Sequence, residues 1–131
     1  MIILNYRFRE RDRFVDYWND NKEKTILIDL DGVLNEYTGK FDEEIIPPIK
    51  RGAKEFLKLL AAKYEIKLFT TRNRLFASKW LIDNDLDEFI SDVTNEKEPC
   101  WLYVDDRCLT FDGDFSLLIK KINDFKPYYK V

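Results

Sequence analysis

The feature that most constrains the fold is a set of three short apolar runs, each ending in or followed by polar residues. The runs and their polar residues are residues 25–30 (TILIDL) with Asp29 and Asp31, residues 65–69 with Thr70, and residues 101–104 with Asp105 and Asp106. The first run does not alternate between apolar and polar side chains, which is typical of a strand buried on both faces of a parallel sheet. Because parallel strands end at the same edge, we expect the polar residues to lie together there.

Segments with helical periodicity separate these runs. The predicted helices are residues 48–64, 75–84 and 114–124, and two further short strands are predicted at residues 89–93 and, at a sheet edge, residues 108–111. Pro48 suits the start of a helix, where the N–H that proline lacks would be unpaired anyway. The last helix carries four apolar residues on one side, namely Phe115, Leu118, Ile119 and Ile122. Strands alternating with helices predict an α/β fold, a Rossmann-like three-layer α/β/α sandwich with a mainly parallel sheet.

The first 24 residues differ in character from the rest of the chain. Residues 1–4 are apolar, and the following stretch mixes aromatic with charged side chains. Phe14, Tyr17 and Trp18 could form one side of a short helix. We expect residues 1–24 to form an extension that packs on the core domain, residues 25–131, or on a second copy of it.

Composition excludes several classes of protein. The chain has no histidine, which rules out catalytic triads and metal sites that use imidazole. Its 22 basic and 25 acidic residues nearly cancel, so the net charge gives no reason to expect nucleic acid or an anionic membrane as a general partner. Two cysteines make no disulfide framework. Without a signal-peptide pattern or an apolar run of membrane-spanning length, the expected location is the cytoplasm.

Four aspartates at the predicted sheet edge, Asp29, Asp31, Asp105 and Asp106, indicate a metal site. Two like charges about 4 Å apart repel by roughly 4 kcal/mol at an effective dielectric constant of about 20, and a divalent cation removes that cost. Oxygen ligands without histidine or thiolate select a hard ion such as Mg²⁺. Lys97, just before the third run, adds a positive charge beside them.

Four segments resemble, in order and spacing, the four motifs of the haloacid dehalogenase (HAD) superfamily. They are residues 29–34 (DLDGVL), Thr70 after residues 66–69, Lys97 within residues 95–99 (NEKEP), and Asp105-Asp106 after residues 101–104. Each motif alone is a weak signal, whereas four in order are specific. The resemblance covers roughly residues 25–125 and implies a HAD-like hydrolase domain, phosphatase activity on a phosphate monoester, and a Mg²⁺ cofactor.

The resemblance implies catalytic roles for two residues of the first motif. Asp29 would attack phosphorus, form an aspartyl-phosphate and bind Mg²⁺ through its other carboxylate oxygen. Asp31 would protonate the leaving oxygen, deprotonate the hydrolytic water and bind the metal through its backbone carbonyl. A second acid at this position favours ester hydrolysis over dehalogenation within the superfamily.

The other motifs imply phosphate and metal ligands. Thr70, with Thr71 beside it, and Lys97 would hold the phosphoryl oxygens while charge spreads over them in the transition state. Asp105 would bind the metal directly, and Asp106 would bind it directly or through water.

Short connections between the motifs resemble the capless branch of the superfamily. The segments after residue 34 and between residues 71 and 97 leave too little chain for a cap domain. An open site admits large phosphorylated substrates, a nucleic-acid end included, or closure by a neighbouring copy of the chain. Residues 72–74 (RNR) either reach the substrate phosphate or form the start of a helix with solvent-facing charge.

Three other functions stay open at this stage. The first is a non-catalytic domain that keeps the fold and the metal site and acts as a binding protein. The second is a signalling receiver domain, although the order of its acidic residues along the chain differs. The third is phosphotransfer to an acceptor other than water. The sequence does not distinguish sugar phosphates, nucleotides, polynucleotide ends and phosphoproteins as substrates.

Overall fold

A computed structural model describes residues 24–130 of the chain. Its strands are β1 (Thr25–Asp29), β2 (Glu65–Phe69), β3 (Asp92–Thr94) and β4 (Leu102–Val104), and its helices are α1 (Ala53–Ala61), α2 (Arg74–Asp83) and α3 (Phe115–Asp124). The four strands form one sheet in the order β3-β2-β1-β4, and every pairing is parallel. The predicted α/β fold with a parallel sheet is therefore confirmed.

The register of β1 brings the ends of three strands together. Asp29, the last residue of β1, pairs with Phe69 at the end of β2, and Ile28 pairs with Val104 at the end of β4. Thr70 and Asp105 follow those two partners directly. Since all three strands point the same way, their polar residues emerge at one edge of the sheet.

The hydrophobic core lies on one face of this sheet. Ile26 and Ile28 of β1 belong to a buried cluster that also includes Leu68 of β2, Leu57 of α1 and Leu81 of α2. These five side chains are at most 2% exposed, so the strands that carry the site rest on a closely packed support. That support fixes where the ends of the strands lie.

The first helix begins later than its periodicity predicts. It starts at Ala53 rather than at Pro48, and Gly52 adopts a left-handed conformation at its N-cap. Residues 48–50 are instead tied to the loop after β1, because the Lys50 N–H donates to the Leu34 carbonyl at 2.8 Å. An isolated antiparallel bridge between Asn35 and Ile49 joins the same two segments. Residues 48–50 are therefore held in an extended conformation and cannot form the first turn of the helix.

Two strand predictions needed correction. The strand expected at residues 89–93 lies at Asp92–Thr94, because a short 3₁₀ turn occupies Asp87–Phe89. The edge strand expected at residues 108–111 is wrong, since this stretch has no strand assignment. The described part of the sheet therefore ends at β4 on that side.

Helix α3 forms where its periodicity predicts, but its apolar side is not buried. Phe115 is 72% exposed, Ile119 60% and Ile122 56%, so the other described residues leave most of this side of the helix uncovered. The prediction for residues 1–24 falls outside the described residues except for Lys24. Within residues 24–130, no helix combines the length and the apolar character needed to cross a membrane.

Candidate functional site

Three aspartates meet at the edge of the sheet. Asp29, Asp105 and Asp106 each offer a carboxylate oxygen, and these three oxygens all lie within 4.8 Å of one another. They meet because β1 and β4 are parallel neighbours and each ends at this point. We call these three residues the acidic cluster. All three are partly buried, so water screens their mutual repulsion less than it would at a fully exposed site.

The electrostatics of the acidic cluster concentrate on Asp29. Burial raises its pKa to about 8, and the negative charges of Asp105 and Asp106 add to the effect. Asp105 behaves differently: burial alone would raise its pKa, yet the pKa is lowered. The cause is that the Arg107 backbone N–H and the Lys97 ammonium donate to it at 2.9 Å and 3.0 Å.

The donor set suits a hard divalent cation. The oxygens that could hold one are carboxylate oxygens of Asp29, Asp105 and Asp106, with no imidazole or thiolate among them. Without a cation, the pKa of Asp29 is so high that its carboxyl group keeps a proton near neutral pH. A divalent ion supplies the positive charge that would let all three carboxylates ionise together.

Asp31 lies outside the acidic cluster and pairs with an arginine. Arg72 donates from Nε to Asp31 Oδ2 at 2.9 Å and from Nη2 to Oδ1 at 3.1 Å. The Asn35 side-chain amide donates to Oδ1 at 3.0 Å. Both oxygens of this carboxylate are therefore held in place, and the side chain is 15% exposed. Of the four aspartates predicted to lie together, the structure thus brings the side chains of Asp29, Asp105 and Asp106 together. The Asp31 side chain pairs with Arg72 instead.

Arg72 is the residue whose role sequence reasoning left most open. Its side chain has no exposed surface, and its Nη1 also donates to the Asp42 carbonyl at 2.8 Å. The ring of Phe41 lies 4.5 Å from the guanidinium carbon. Arg72 thus joins the ends of β1 and β2 to the loop around residue 42, and it is neither solvent-facing nor free to contact a substrate.

The two neighbours of Arg72 in the RNR segment form the start of α2. The Asn73 side chain accepts a hydrogen bond from the Phe76 backbone N–H at 3.0 Å, which makes it the N-cap. Arg74 is the first residue of the helix and is exposed. Of the two readings of this segment, the helix start is therefore the one observed for Asn73 and Arg74.

Thr70 occupies the predicted position at the end of β2, whereas Thr71 faces solvent. The Thr70 backbone N–H donates to the Thr94 carbonyl at 3.0 Å, and its hydroxyl oxygen accepts from the Arg72 backbone N–H at 3.1 Å. Asn95 fastens the same turn by donating to the Thr70 carbonyl at 2.6 Å. Thr70 is only 1% exposed, and its hydroxyl keeps a proton to donate while its oxygen accepts.

Lys97 places a positive charge against the acidic cluster. Its ammonium lies 3.0 Å from Asp105 Oδ2, and this hydrogen bond raises the pKa of Lys97. The same ammonium sits 5.3 Å and 5.5 Å from the ring centres of Phe69 and Tyr103. The side chain is 48% exposed, so an incoming anion can reach it.

Tyr129 is a contact of the acidic cluster that no sequence pattern indicated. Its hydroxyl donates to Asp106 Oδ2 at 2.5 Å across 23 residues of chain. Burial, followed by this hydrogen bond, raises the pKa of Tyr129 to about 12. The residue belongs to none of the four motifs, so only the folded chain brings it to the cluster.

Comparison with family models, with curated proteins and with solved structures found no match to this chain. Its function is therefore inferred from its own residues.

Proposed function

We propose that the chain is a Mg²⁺-dependent phosphohydrolase that cleaves a phosphate monoester through an aspartyl-phosphate intermediate. The observation that carries the proposal is that the Asp29 carboxyl group lies beside two further carboxylates and interacts electrostatically with the Lys97 ammonium. A carboxylate nucleophile, a hard-cation site and an ammonium group are the components that phosphoryl transfer to an aspartate needs. The resemblance of the four motifs to the HAD superfamily supports the same reaction.

The reaction divides into two displacements at phosphorus. In the first, an Asp29 oxygen bonds to phosphorus, the bond to the ester oxygen breaks, and Asp31 gives that oxygen a proton. In the second, Asp31 takes a proton from water, the water oxygen bonds to phosphorus, and the bond to Asp29 breaks to release phosphate. Mg²⁺ bound by Asp29, Asp105 and Asp106 would neutralise negative charge on the phosphoryl oxygens.

Arg72 decides the orientation of Asp31 in both displacements. In the described arrangement both Asp31 oxygens accept hydrogen bonds, which holds the carboxylate in one orientation. Oδ2 accepts one bond among the described residues, from Arg72 Nε, so its second lone pair remains for the proton that Asp31 gives and takes. The 15% exposure of the Asp31 side chain leaves a route for that proton.

The proposed fold is a capless HAD-like, three-layer α/β/α sandwich. Residues 30–52 between β1 and α1 are too few to form a cap domain. A site without a domain above it suits a bulky leaving group, such as the end of a nucleic acid or a phosphorylated protein side chain. Lys97, half exposed at this edge, is placed to meet the phosphate of such a substrate.

Phosphate release from a panel of sugar phosphates, nucleotides, nucleic-acid ends and phosphopeptides tests the proposal. Turnover by the wild type should need Mg²⁺ and stop with a chelator, and Asp29→Asn should lower it by more than about 10³-fold. Asp83→Asn is the matched control, because Asp83 is exposed and, among residues 24–130, pairs only with Lys79 one helical turn away.

The outcomes separate the proposal from its alternatives. Turnover that persists in Asp29→Asn would contradict the nucleophile, and turnover that persists in chelator would contradict the cation. Transfer of the phosphoryl group to an added alcohol in place of water would indicate a phosphotransferase. Mg²⁺ binding without turnover of any class of phosphoester would favour a binding protein.

A further inference from the structure

The last described residues of the chain contact both loops that form the site. We call residues 127–130 the C-terminal segment. The Tyr128 hydroxyl donates to the Gly32 carbonyl at 2.7 Å, and the Tyr129 hydroxyl donates to Asp106 Oδ2 at 2.5 Å. One tyrosine thus binds the loop after β1, and its neighbour binds the loop after β4. The C-terminal segment therefore ties together the loops that follow β1 and β4, beside the acidic cluster.

Close packing fixes this arrangement. Gly32 has a φ of +89°, and a side chain there would overlap the Asp106 carboxylate and lie 3.1 Å from Cε2 of Tyr129. The ring of Tyr37 meets the Tyr129 ring edge to face, with 5.7 Å between their centres. Held from two sides, the Tyr129 ring has little freedom to turn its hydroxyl away from Asp106.

We propose that Tyr129 is a positioning residue of the cation site. This inference rests on the proposed function, because it requires that a cation binds at the acidic cluster. The Tyr129 hydroxyl occupies one lone pair of Asp106 Oδ2 and so fixes the plane and rotamer of that carboxylate. Partners of this kind orient a ligand before the metal arrives, and their loss typically weakens binding by about 10- to 100-fold.

Two substitutions in the C-terminal segment test the inference. Tyr129→Phe removes only the hydroxyl that contacts Asp106, and Tyr128→Phe removes the adjacent hydroxyl, which contacts a backbone carbonyl. Mg²⁺ affinity of the full chain is measured by titration calorimetry, and the melting temperature is measured in chelator. We expect Tyr129→Phe to weaken Mg²⁺ binding by about 10-fold or more, and Tyr128→Phe to change it by less than about 3-fold.

The melting temperature separates positioning from general packing. Weaker Mg²⁺ binding in Tyr129→Phe with a metal-free melting temperature near that of the wild type supports the inference. Unchanged Mg²⁺ binding in Tyr129→Phe, or an equal loss in both variants, overturns it and leaves the proposed function standing. A wild-type chain that binds no Mg²⁺ overturns the cation site itself, and with it the role of Tyr129.

Discussion

Arg72 donates hydrogen bonds to both carboxylate oxygens of Asp31, at 2.9 Å and 3.1 Å, from a position with no exposed surface. Asp31 follows the end of β1, and Arg72 lies two residues beyond Thr70 at the end of β2. The remaining guanidinium nitrogen binds the Asp42 carbonyl. One buried cation thus connects three segments around the proposed site.

Loss of Arg72 should therefore destabilise the fold. Arg72→Gln leaves Asp31 without its ionic partner in a largely buried position, and breaking such a pair typically costs about 3–5 kcal/mol. Arg72→Lys should lower the free energy of unfolding by less, because lysine keeps the positive charge although it cannot bind both Asp31 oxygens as the guanidinium does. Urea unfolding gives the free energy of unfolding for both variants.

The control for this prediction is Arg74→Gln, since Arg74 is exposed at the start of α2. A change within about 0.5 kcal/mol is expected there. If Arg72→Gln and Arg74→Gln proved equally mild, the buried ion pair would not have the structural importance assigned to it.

The contact between Arg72 and Asp31 also shows what could not be predicted from the sequence. The strand ending at Asp29 could be predicted, because a continuous apolar run followed by a turn is a local signal. The pairing of Arg72 with Asp31 spans 41 residues and depends on how two strand ends meet, which no local pattern records. Tyr129 was missed for the same reason. Its contact with Asp106 exists only after the chain has folded back on itself.

Helix α3 and residues 108–111 show a second kind of limit. Periodicity identified α3 correctly, because helical spacing of apolar residues is encoded within the segment itself. It could not tell whether another element covers that side, and Phe115 is 72% exposed. Residues 108–111 have strand-like composition, but a strand also needs a partner edge, and none of the described strands pairs with them.

Raising the pH should destabilise the metal-free protein. Burial and neighbouring carboxylates raise the pKa of Asp29 from 3.8 to about 8 in the folded chain. Between these values the folded state holds a proton that the unfolded state has released, so stability falls as pH rises through this window. The lowered pKa of Asp105 acts below this window, and the raised pKa of Tyr129, about 12, acts above it. Urea unfolding in chelator at about pH 5 and at about pH 8 measures the expected loss.

Magnesium should oppose this loss of stability. In the proposed function a cation binds the ionised acidic cluster, so its stabilising effect should grow across the same pH window, reaching about 2.7 kcal/mol at a hundred times its dissociation constant. Asp29→Asn removes the titrating group and should flatten both pH dependences. A wild type whose stability in chelator rises with pH over this window would contradict the assigned shift.

Gly32 and Gly52 offer a matched pair for the close packing around Asp106. Both have a φ of +89°, so an alanine at either position bears the strain of a left-handed φ, typically about 1–2 kcal/mol. Only at Gly32 would the new side chain meet other atoms, those of Asp106 and Tyr129, whereas the space around Gly52 is open within 4 Å. Gly32→Ala should therefore lower the free energy of unfolding by at least about 1 kcal/mol more than Gly52→Ala.

The same pair should differ in Mg²⁺ binding, because the new methyl group at residue 32 displaces the Asp106 carboxylate. Calorimetric titration should show weaker binding in Gly32→Ala and wild-type binding in Gly52→Ala. Equal effects of the two substitutions on stability and on Mg²⁺ binding would contradict the close packing of Gly32 against the Asp106 side chain.

Lys97 should affect turnover and cation binding in opposite directions. Its ammonium lies 3.0 Å from Asp105 Oδ2 and is half exposed, so it competes with a cation for that oxygen while remaining available to a phosphate. Lys97→Gln should therefore bind Mg²⁺ at least as tightly as the wild type, yet lose about 10²- to 10³-fold in kcat/KM, the usual effect of removing one charge-stabilising donor. Lys67→Gln is the control, since Lys67 pairs with Glu98 at 3.1 Å and not with the acidic cluster. Equal turnover in the two variants would contradict a role of Lys97 in phosphate binding. Weaker Mg²⁺ binding by Lys97→Gln would show that Lys97 stabilises the acidic cluster and does not compete with the metal.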